Sequence, residues 1–276
     1  MKVGFIGTGS MGSILIEALI VSKALNPEQI LAANRSRDKV LKLADRFPAI
    51  QVAYDNGEIA RECEIVFICV KPHEYKRVIE DIRPFAHEQQ IVVSITSPVL
   101  IKHLEDQLPC KIAKIIPSIT NYALSGASLC MYSERMNTKD RHKLETMLSK
   151  MSKPHHIEER FTRITSDLSS CGPAFLCYFT EQFVKAAVEM TGISQNEANK
   201  LVCDMMYGTA KLLKEKDFTP ASLQERVRVP GGITAEGLDL MQSYMNGMFV
   251  RLIHATHDKY NNDLAKVESL FYGQKA

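Results

Sequence analysis

Apolar and polar positions repeat with two different periods along this chain, and the change from one to the other divides it. Up to about residue 157, short apolar runs rich in Val and Ile recur at residues 3–6, 29–34, 51–54, 64–70, 91–95, 111–116 and 129–132. Runs of this length bounded by turn residues predict buried strands. Between them apolar positions return every three or four residues, as in Met11, Ile14, Leu15, Ala18 and Leu19. Helices are predicted there, at 38–47, just after the Asp55, Asn56, Gly57 turn, and at 140–151. Strands alternating with helices predict an α/β fold with a doubly wound parallel sheet.

Beyond residue 157 no strand pattern appears. A short helix is expected over 161–170, followed by a longer one. Pro173 suits the first turn of that second helix, and Phe175, Phe179, Phe183 and Ala187 lie on one of its faces. Gly192 ends it, and Ser194 with Glu197 reads as a capping box for the next helix. That helix carries Leu201, Val202, Met205, Met206, Ala210, Leu212 and Leu213, more apolar surface than a single stripe. Thr219 and Pro220 open a short helix to about Val227, and Thr234 reads as the N-cap of a long final helix. The pattern divides the chain into an α/β domain over 1–158 and an all-helical domain over 159–276. The spare apolar surface predicts a helix-exchanging homodimer or higher homo-oligomer.

Composition changes this picture little. Among 276 residues, 45% are hydrophobic and 24% charged, with a formal net charge of +2. That balance, without a run of Lys and Arg, argues against a nucleic-acid surface. No apolar stretch reaches membrane-spanning length, so no membrane partner is expected. The N-terminus runs straight into the first strand, and no signal peptide is expected. Seven scattered cysteines without a C-x-x-C pair read as reduced thiols in a cytoplasmic protein.

The chemistry begins at the first turn, where Gly7, Thr8, Gly9, Ser10, Met11 and Gly12 carry G-x-G-x-x-G spacing between a strand and a helix. That context is the one a dinucleotide fingerprint needs. Gly7 makes the turn, Gly9 lets a pyrophosphate approach the backbone, and Gly12 lets helix and strand pack closely. Free N–H groups at the helix start would hold the phosphates. The second strand then ends not in an acid but in Asn34, Arg35, Ser36 and Arg37. A carboxylate would repel a 2′-phosphate and a guanidinium would hold it, so NADP(H) is predicted over NAD(H). Ligands of open α/β sheets lie beyond the carboxyl ends of the strands, which puts Val70, Lys71 and Pro72 along the cofactor cleft.

The Rossmann half, the basic turn, the Val-Lys-Pro segment, the Gly-Pro-Ala helix start at 172–174 and the Pro-Gly-Gly loop at 230–232 form an ordered set. With this set the chain resembles the pyrroline-5-carboxylate reductase family over nearly its full length. Within it the chain is most similar to the ComER branch, named for a late-competence locus. The resemblance implies NADPH-dependent reduction of a cyclic imine, most simply pyrroline-5-carboxylate to proline. It implies cofactor contacts at Gly7 to Gly12, at Asn34, Arg35, Ser36 and Asn56, and along Cys69, Val70, Lys71 and Pro72. It also implies an imino acid at the junction with the helical domain, held by Pro230, Gly231, Gly232, Ile233 and Thr234. Thr234 would orient the ring nitrogen region and is the one catalytic candidate.

Three segments depart from the family's pattern. Ile116, Pro117, Ser118, Ile119 and Thr120 stand for the usual Met-Pro-Asn-Thr-Pro, and Cys171 stands for a serine before Gly172. Val229 and Ile233 replace two hydroxyl residues around Pro-Gly-Gly. Two alternatives therefore stay open beside the reductase: a nucleotide-binding regulatory paralogue with weak catalysis, and a reductase of a different, less polar imine. Cys171, at a helix start, reads either as a redox-sensitive thiol or as inert packing. His254 and His257 read as ordinary helix histidines rather than metal ligands, and His155 and His156 as a solvated turn.

Overall fold

The computed structural model describes residues 1–273. These residues form two compact units: residues 1–173 together with the stretch from Ala255 on, and residues 174–254.

The first unit is built on one sheet. Its strands are β1 (Val3–Ile6), β2 (Ile30–Ala33), β3 (Gln51–Val52), β4 (Ile65–Ile68), β5 (Ile91–Ser94), β6 (Lys111–Ile116), β7 (Ala127–Tyr132) and β8 (Lys153–His156). They lie in the order β3-β2-β1-β4-β5-β6-β7-β8. All neighbours run parallel except β6 and β7, which pair antiparallel. The first six strands have the Rossmann order, in which the winding reverses between β1 and β4.

The helices of this unit are α1 (Ser10–Val21), α2 (Arg37–Arg46), α3 (Asn56–Glu62), α4 (Tyr75–Ile82), α5 (Ile101–Glu105), α6 (Thr138–Leu148) and α7 (Thr162–Ser166). One face of the sheet packs Val3, Phe5 and Phe67 against Leu15 and Leu19 of α1, Val40 and Leu43 of α2, and Leu144 and Leu148 of α6. Phe5 and Phe67 stack across β1 and β4 at 4.9 Å. The other face packs Ile6, Val66 and Val92 against Ile59 of α3, Ile79 of α4 and Leu104 of α5. Burial on both faces explains why these strands read as continuous apolar runs rather than as alternating ones.

The second unit is helical, with α8 (Gly172–Thr191) entering it and α9 (Gln195–Glu215), α10 (Pro220–Val227) and α11 (Ile233–Met245) within it; α12 (Met248–Tyr272) leads back into the first. Gly192, at φ +75°, ends α8 as expected. Ser194 caps α9 by accepting from Glu197 N, while its hydroxyl donates to the Glu197 carboxylate at 2.6 Å. Val184, Ala198 and Ala235 are buried, yet Phe179, Phe183, Leu201, Met205, Tyr244 and Phe249 stay exposed in the single chain.

The doubly wound, mostly parallel sheet is as expected, with one antiparallel pair where β7 turns back beside β6. Three expectations are corrected. His155 and His156 form no solvated turn but the end of edge strand β8, paired with Leu129 and Cys130. Its Pro154 and exposed polar residues hide it from any apolar pattern, as edge strands often are. The expected final helix is two helices, parted at Asn246 and Gly247, where Gly247 takes φ +72°. The helix over 161–170 is α7 followed by one wider π turn, Asp167–Cys171, which runs on into α8.

The end of α12 docks on the second face of the sheet through Val267 and Phe271. Phe271 stacks on the buried imidazole of His103 at 5.1 Å, whose Nδ1 accepts from Leu100 N at 3.1 Å. Burial holds the His103 pKa below its ordinary 6.5, outweighing the pull of Glu268, Glu159 and Asp106. The unfolded chain therefore takes up a proton below pH 6.5 that the folded chain resists, so this contribution costs stability as pH falls below that value. Thermal melting measured from pH 8 to pH 5 should show that loss, and His103→Gln should flatten the profile.

Candidate active site

The carboxyl ends of β1, β2 and β4 come level, since Ile6 pairs with both Ala33 and Ile68. Gly7 N donates to Ala33 O and Cys69 N to Ile6 O, each at 2.8 Å, which extends the ladder one residue past the strands. Gly7 sits at φ +101°, where a side chain would be strained and would also meet Cys69 O at 2.7 Å. A Cβ on Gly12 would lie 2.1 Å from Gly7 O, so only glycine lets α1 rest on this turn. Gly9 differs from both. It has extended backbone, caps α1 without a side-chain bond, and its missing Cβ points into space with nothing within 4 Å.

This turn fits a diphosphate. The first-turn N–H groups of Ser10, Met11 and Gly12 lack intrahelical acceptors, as in any helix start, and the helix dipole favours an anion there. The Thr8 hydroxyl is buried and has no hydrogen-bond partner, a group that a ligand oxygen would satisfy. Thr8 N is held by Asn34 Oδ1 at 2.9 Å, and Asn34 Nδ2 donates to Ser36 O at 3.0 Å. The Asn34 side chain thus braces the glycine turn rather than reaching outward. Arg35 projects outward with 74% of its side chain exposed. Arg37 lies over the ring of Tyr54, itself exposed, at 5.6 Å. Asn56 opens α3 and donates to Asp81 at 2.9 Å.

The segment after β4 is braced from beneath. Thr96 donates to Val70 O at 3.0 Å, while the fully buried Tyr75 hydroxyl reaches Ile68 O at 3.1 Å and Ser94 Oγ at 2.8 Å. Burial pushes the Tyr75 and Cys69 groups up, so both stay protonated and neither offers a phenolate or thiolate nucleophile. Lys71 is exposed, and Pro72 begins a single 3-10 turn ending at Glu74. No sequence motif marks Tyr75, Ser94 or Thr96, because their role depends on which strand ends lie side by side.

At the end of β6, Ser118 is buried and donates to Ser169 O at 2.9 Å, while Ser170 donates to Pro117 O at 2.9 Å. The serine that replaces the family's asparagine is therefore tied to the π turn. Cys171 accepts from Arg163 Nη2 at 3.1 Å, and that guanidinium also pairs with buried Asp167 at 2.7 Å. His257 Nε2 lies 3.9 Å from the same carboxylate. Among the described residues, no group of three or more His, Cys, Asp or Glu stands close enough to hold a metal ion.

In the second unit, residues 229–232 make a tight turn closed by Gly232 N to Val229 O at 2.8 Å, with Gly231 at φ +69°. Gly232, not Thr234, is the N-cap of α11, and no side chain satisfies the first N–H groups. This corrects the N-cap reading of Thr234: the helix begins one residue before it, at Ile233, and its cap lies two before. Thr234 instead lines an apolar cavity of about 320 Å³ with Thr209, Leu213, Leu223, Val227 and Leu238. Ile233 is 93% exposed and Val229 63%.

Sheet order, glycine turn and basic edge together define a dinucleotide-dependent oxidoreductase fold. Residues 2–98 match the family described as NADP oxidoreductase, coenzyme F420-dependent, and residues 159–263 match pyrroline-5-carboxylate reductase dimerisation. The chain is 40% identical to ComE operon protein 4 of Bacillus subtilis, over 99% of this chain and 100% of that one. It is 28% identical to pyrroline-5-carboxylate reductase 3 of the same organism, over 94% and 95% of the two chains. A solved pyrroline carboxylate reductase of Plasmodium falciparum with NADP bound shares the fold at a TM-score of 0.82 and 24% identity, covering 99% of this chain and 98% of that one. The chain belongs to the pyrroline-5-carboxylate reductase family, and it stands nearer the ComE operon relative than the Bacillus reductase. Among the described residues no helix is long and apolar enough to cross a membrane.

Two glycine variants separate packing from binding at this site. Gly9→Ala should leave the melting temperature unchanged, since its Cβ meets nothing, yet weaken NADPH binding about tenfold or more by blocking the pyrophosphate. Gly12→Ala should lower stability by about 2 kcal/mol or more, as overpacking does. Calorimetry and cofactor titration on the two proteins would check both.

Proposed function

We propose that this protein reduces a cyclic imine with NADPH, with pyrroline-5-carboxylate and proline as substrate and product. The observation that carries the reading is the glycine turn after β1, open at Gly9 and with the Thr8 hydroxyl unpaired, in a chain whose helical part matches the reductase dimerisation family. Residues 7–12 hold the pyrophosphate by backbone N–H groups, Arg35 and Ser36 receive the 2′-phosphate, and Asn56 lies on the adenosine side. Cys69, Val70, Lys71 and Pro72 run along the nicotinamide ribose. When bound, NADPH supplies a hydride for the imine carbon, and the ring nitrogen keeps its proton to become the amine. A protonated imine is already electrophilic, so the protein's contribution is mainly orientation. The N–H groups of Gly231, Ile233 and Thr234, beside the Gly232 N that closes the turn, receive the substrate carboxylate, and the Thr234 hydroxyl orients the ring nitrogen.

The proposed division assigns cofactor binding to residues 1–158, and substrate binding and assembly to 159–276. The exposed Phe179, Phe183, Leu201, Met205, Tyr244 and Phe249 support a homodimer or higher homo-oligomer, in which a second copy covers them. A cytoplasmic setting accords with seven free cysteines.

A second reading has its own support. Val229 and Ile233 leave the Pro-Gly-Gly turn without the flanking hydroxyls, and the 40% relative is named for a competence operon. In that reading the protein binds nucleotide as a regulatory paralogue and turns over slowly, or reduces a less polar imine. NADPH consumption by purified protein with pyrroline-5-carboxylate decides. Turnover of about 1–10³ per second is the expected result for a working reductase. Its absence in folded, NADPH-binding protein would favour the second reading. Ile233→Thr should raise kcat/KM about tenfold, through one restored hydrogen bond to a charged substrate.

A further inference from the structure

Arg35 is not free at the cofactor edge: its Nη1 lies 2.8 Å from Glu74 Oε1. The two residues reach each other from different strand ends. Arg35 follows β2, and Glu74 closes the 3-10 turn after β4, on the far side of β1. Their burial is unequal, with 24% of the Glu74 side chain exposed against 74% for Arg35. Glu74 Oε2 also faces Lys71 N at 3.4 Å, which ties the carboxylate to its own turn. The carboxylate is thus the anchored partner and the guanidinium the solvent-exposed one.

Dinucleotide folds that prefer NAD(H) place a carboxylate at the end of the second strand, where it accepts from the adenosine ribose 2′-hydroxyl and repels a 2′-phosphate. Here the second strand ends in Asn34, but Glu74 brings a carboxylate to its basic neighbour from elsewhere in the chain. A 2′-phosphate that binds Arg35 must share the guanidinium with this carboxylate or displace it, and in either case sits near it. A 2′-hydroxyl meets no such repulsion and can donate to it. We infer that Glu74 is a specificity-determining residue, which draws the cofactor preference set by Arg35 back towards NADH. The inference rests on the reading of Arg35 as the 2′-phosphate site.

Fluorescence titration of the 276-residue chain with NADPH, NADH and 2′,5′-ADP tests it, comparing the unaltered chain with Glu74→Gln, Glu74→Ala and Arg35→Ala. Both Glu74 variants should bind NADPH and 2′,5′-ADP about two- to fivefold more tightly, the scale of a partly exposed ion pair. NADH affinity should stay level or fall, so the NADPH to NADH ratio rises. Glu74→Gln keeps an acceptor for Lys71 N, so a purely structural role for Glu74 would move only the alanine variant, or both cofactors alike. Either of those results overturns the inference, as does an unchanged ratio. Arg35→Ala separates the two levels. If it weakens NADPH and 2′,5′-ADP while the Glu74 variants change nothing, only the role of Glu74 fails. If it leaves both affinities intact, the phosphate-site reading fails and the inference with it.

Discussion

The distance between Gly12 and the carbonyl of Gly7 governs this protein. A single methyl group on Gly12 would stand 2.1 Å from that oxygen, so α1 can lie against the end of β1 only because no side chain is present. That approach brings the first turn of α1 to the level of the strand ends. Gly7, one residue past β1, is held by Ala33 O, and Cys69, one past β4, by Ile6 O. The register of β1 with β2 and β4 then delivers Asn34, Gly7 and Cys69 to one edge of the sheet. A sheet buried on both faces fixes that register strongly, since a slip would move apolar side chains across the layer.

The two units differ in how they satisfy their apolar residues. The sheet unit buries Val, Ile and Phe on both faces within one chain. It also accommodates polar groups inside, such as Lys114, whose ammonium is buried against the Glu159 carboxylate at 3.1 Å while that carboxylate accepts from Ile101 N. Burial lowers the Lys114 pKa and the carboxylate opposes that shift, so the pair is tolerated because both ends are bonded. The helical unit has few fully buried residues and many exposed aromatic and aliphatic ones. Helices of this kind are a surface awaiting a partner, which agrees with the dimerisation family matched by residues 159–263.

Much of the site was legible because its physics is local. Gly7 and Gly12 are set by the sterics of one turn, and their spacing with Gly9 alone announces it. The basic ending of β2 was legible for the same reason. Less local roles were not. Asn34 stood out as a ligand-facing residue, yet its amide is engaged by Thr8 N and Ser36 O. Thr234 read as a cap, but the turn at residues 229–232 closes early and passes that place to Gly232. The partnership of Glu74 with Arg35 has no sequence signature at all, because it depends on two loops meeting across β1.

The sequence by itself determined the alternation of strand and helix, the change to helices after residue 157, the glycine turn and the basic residues that follow β2. Each follows from interactions within a few residues: side-chain periodicity, turn sterics and caps. Tertiary structure alone decided that β7 runs antiparallel, that the exposed stretch at 153–156 joins the sheet, and that the last helical segment breaks at Gly247. It also decided which polar groups meet at the strand ends. Those outcomes depend on partners distant in sequence, where a hydrogen-bonding edge or a facing carboxylate is supplied by a segment that no local pattern identifies.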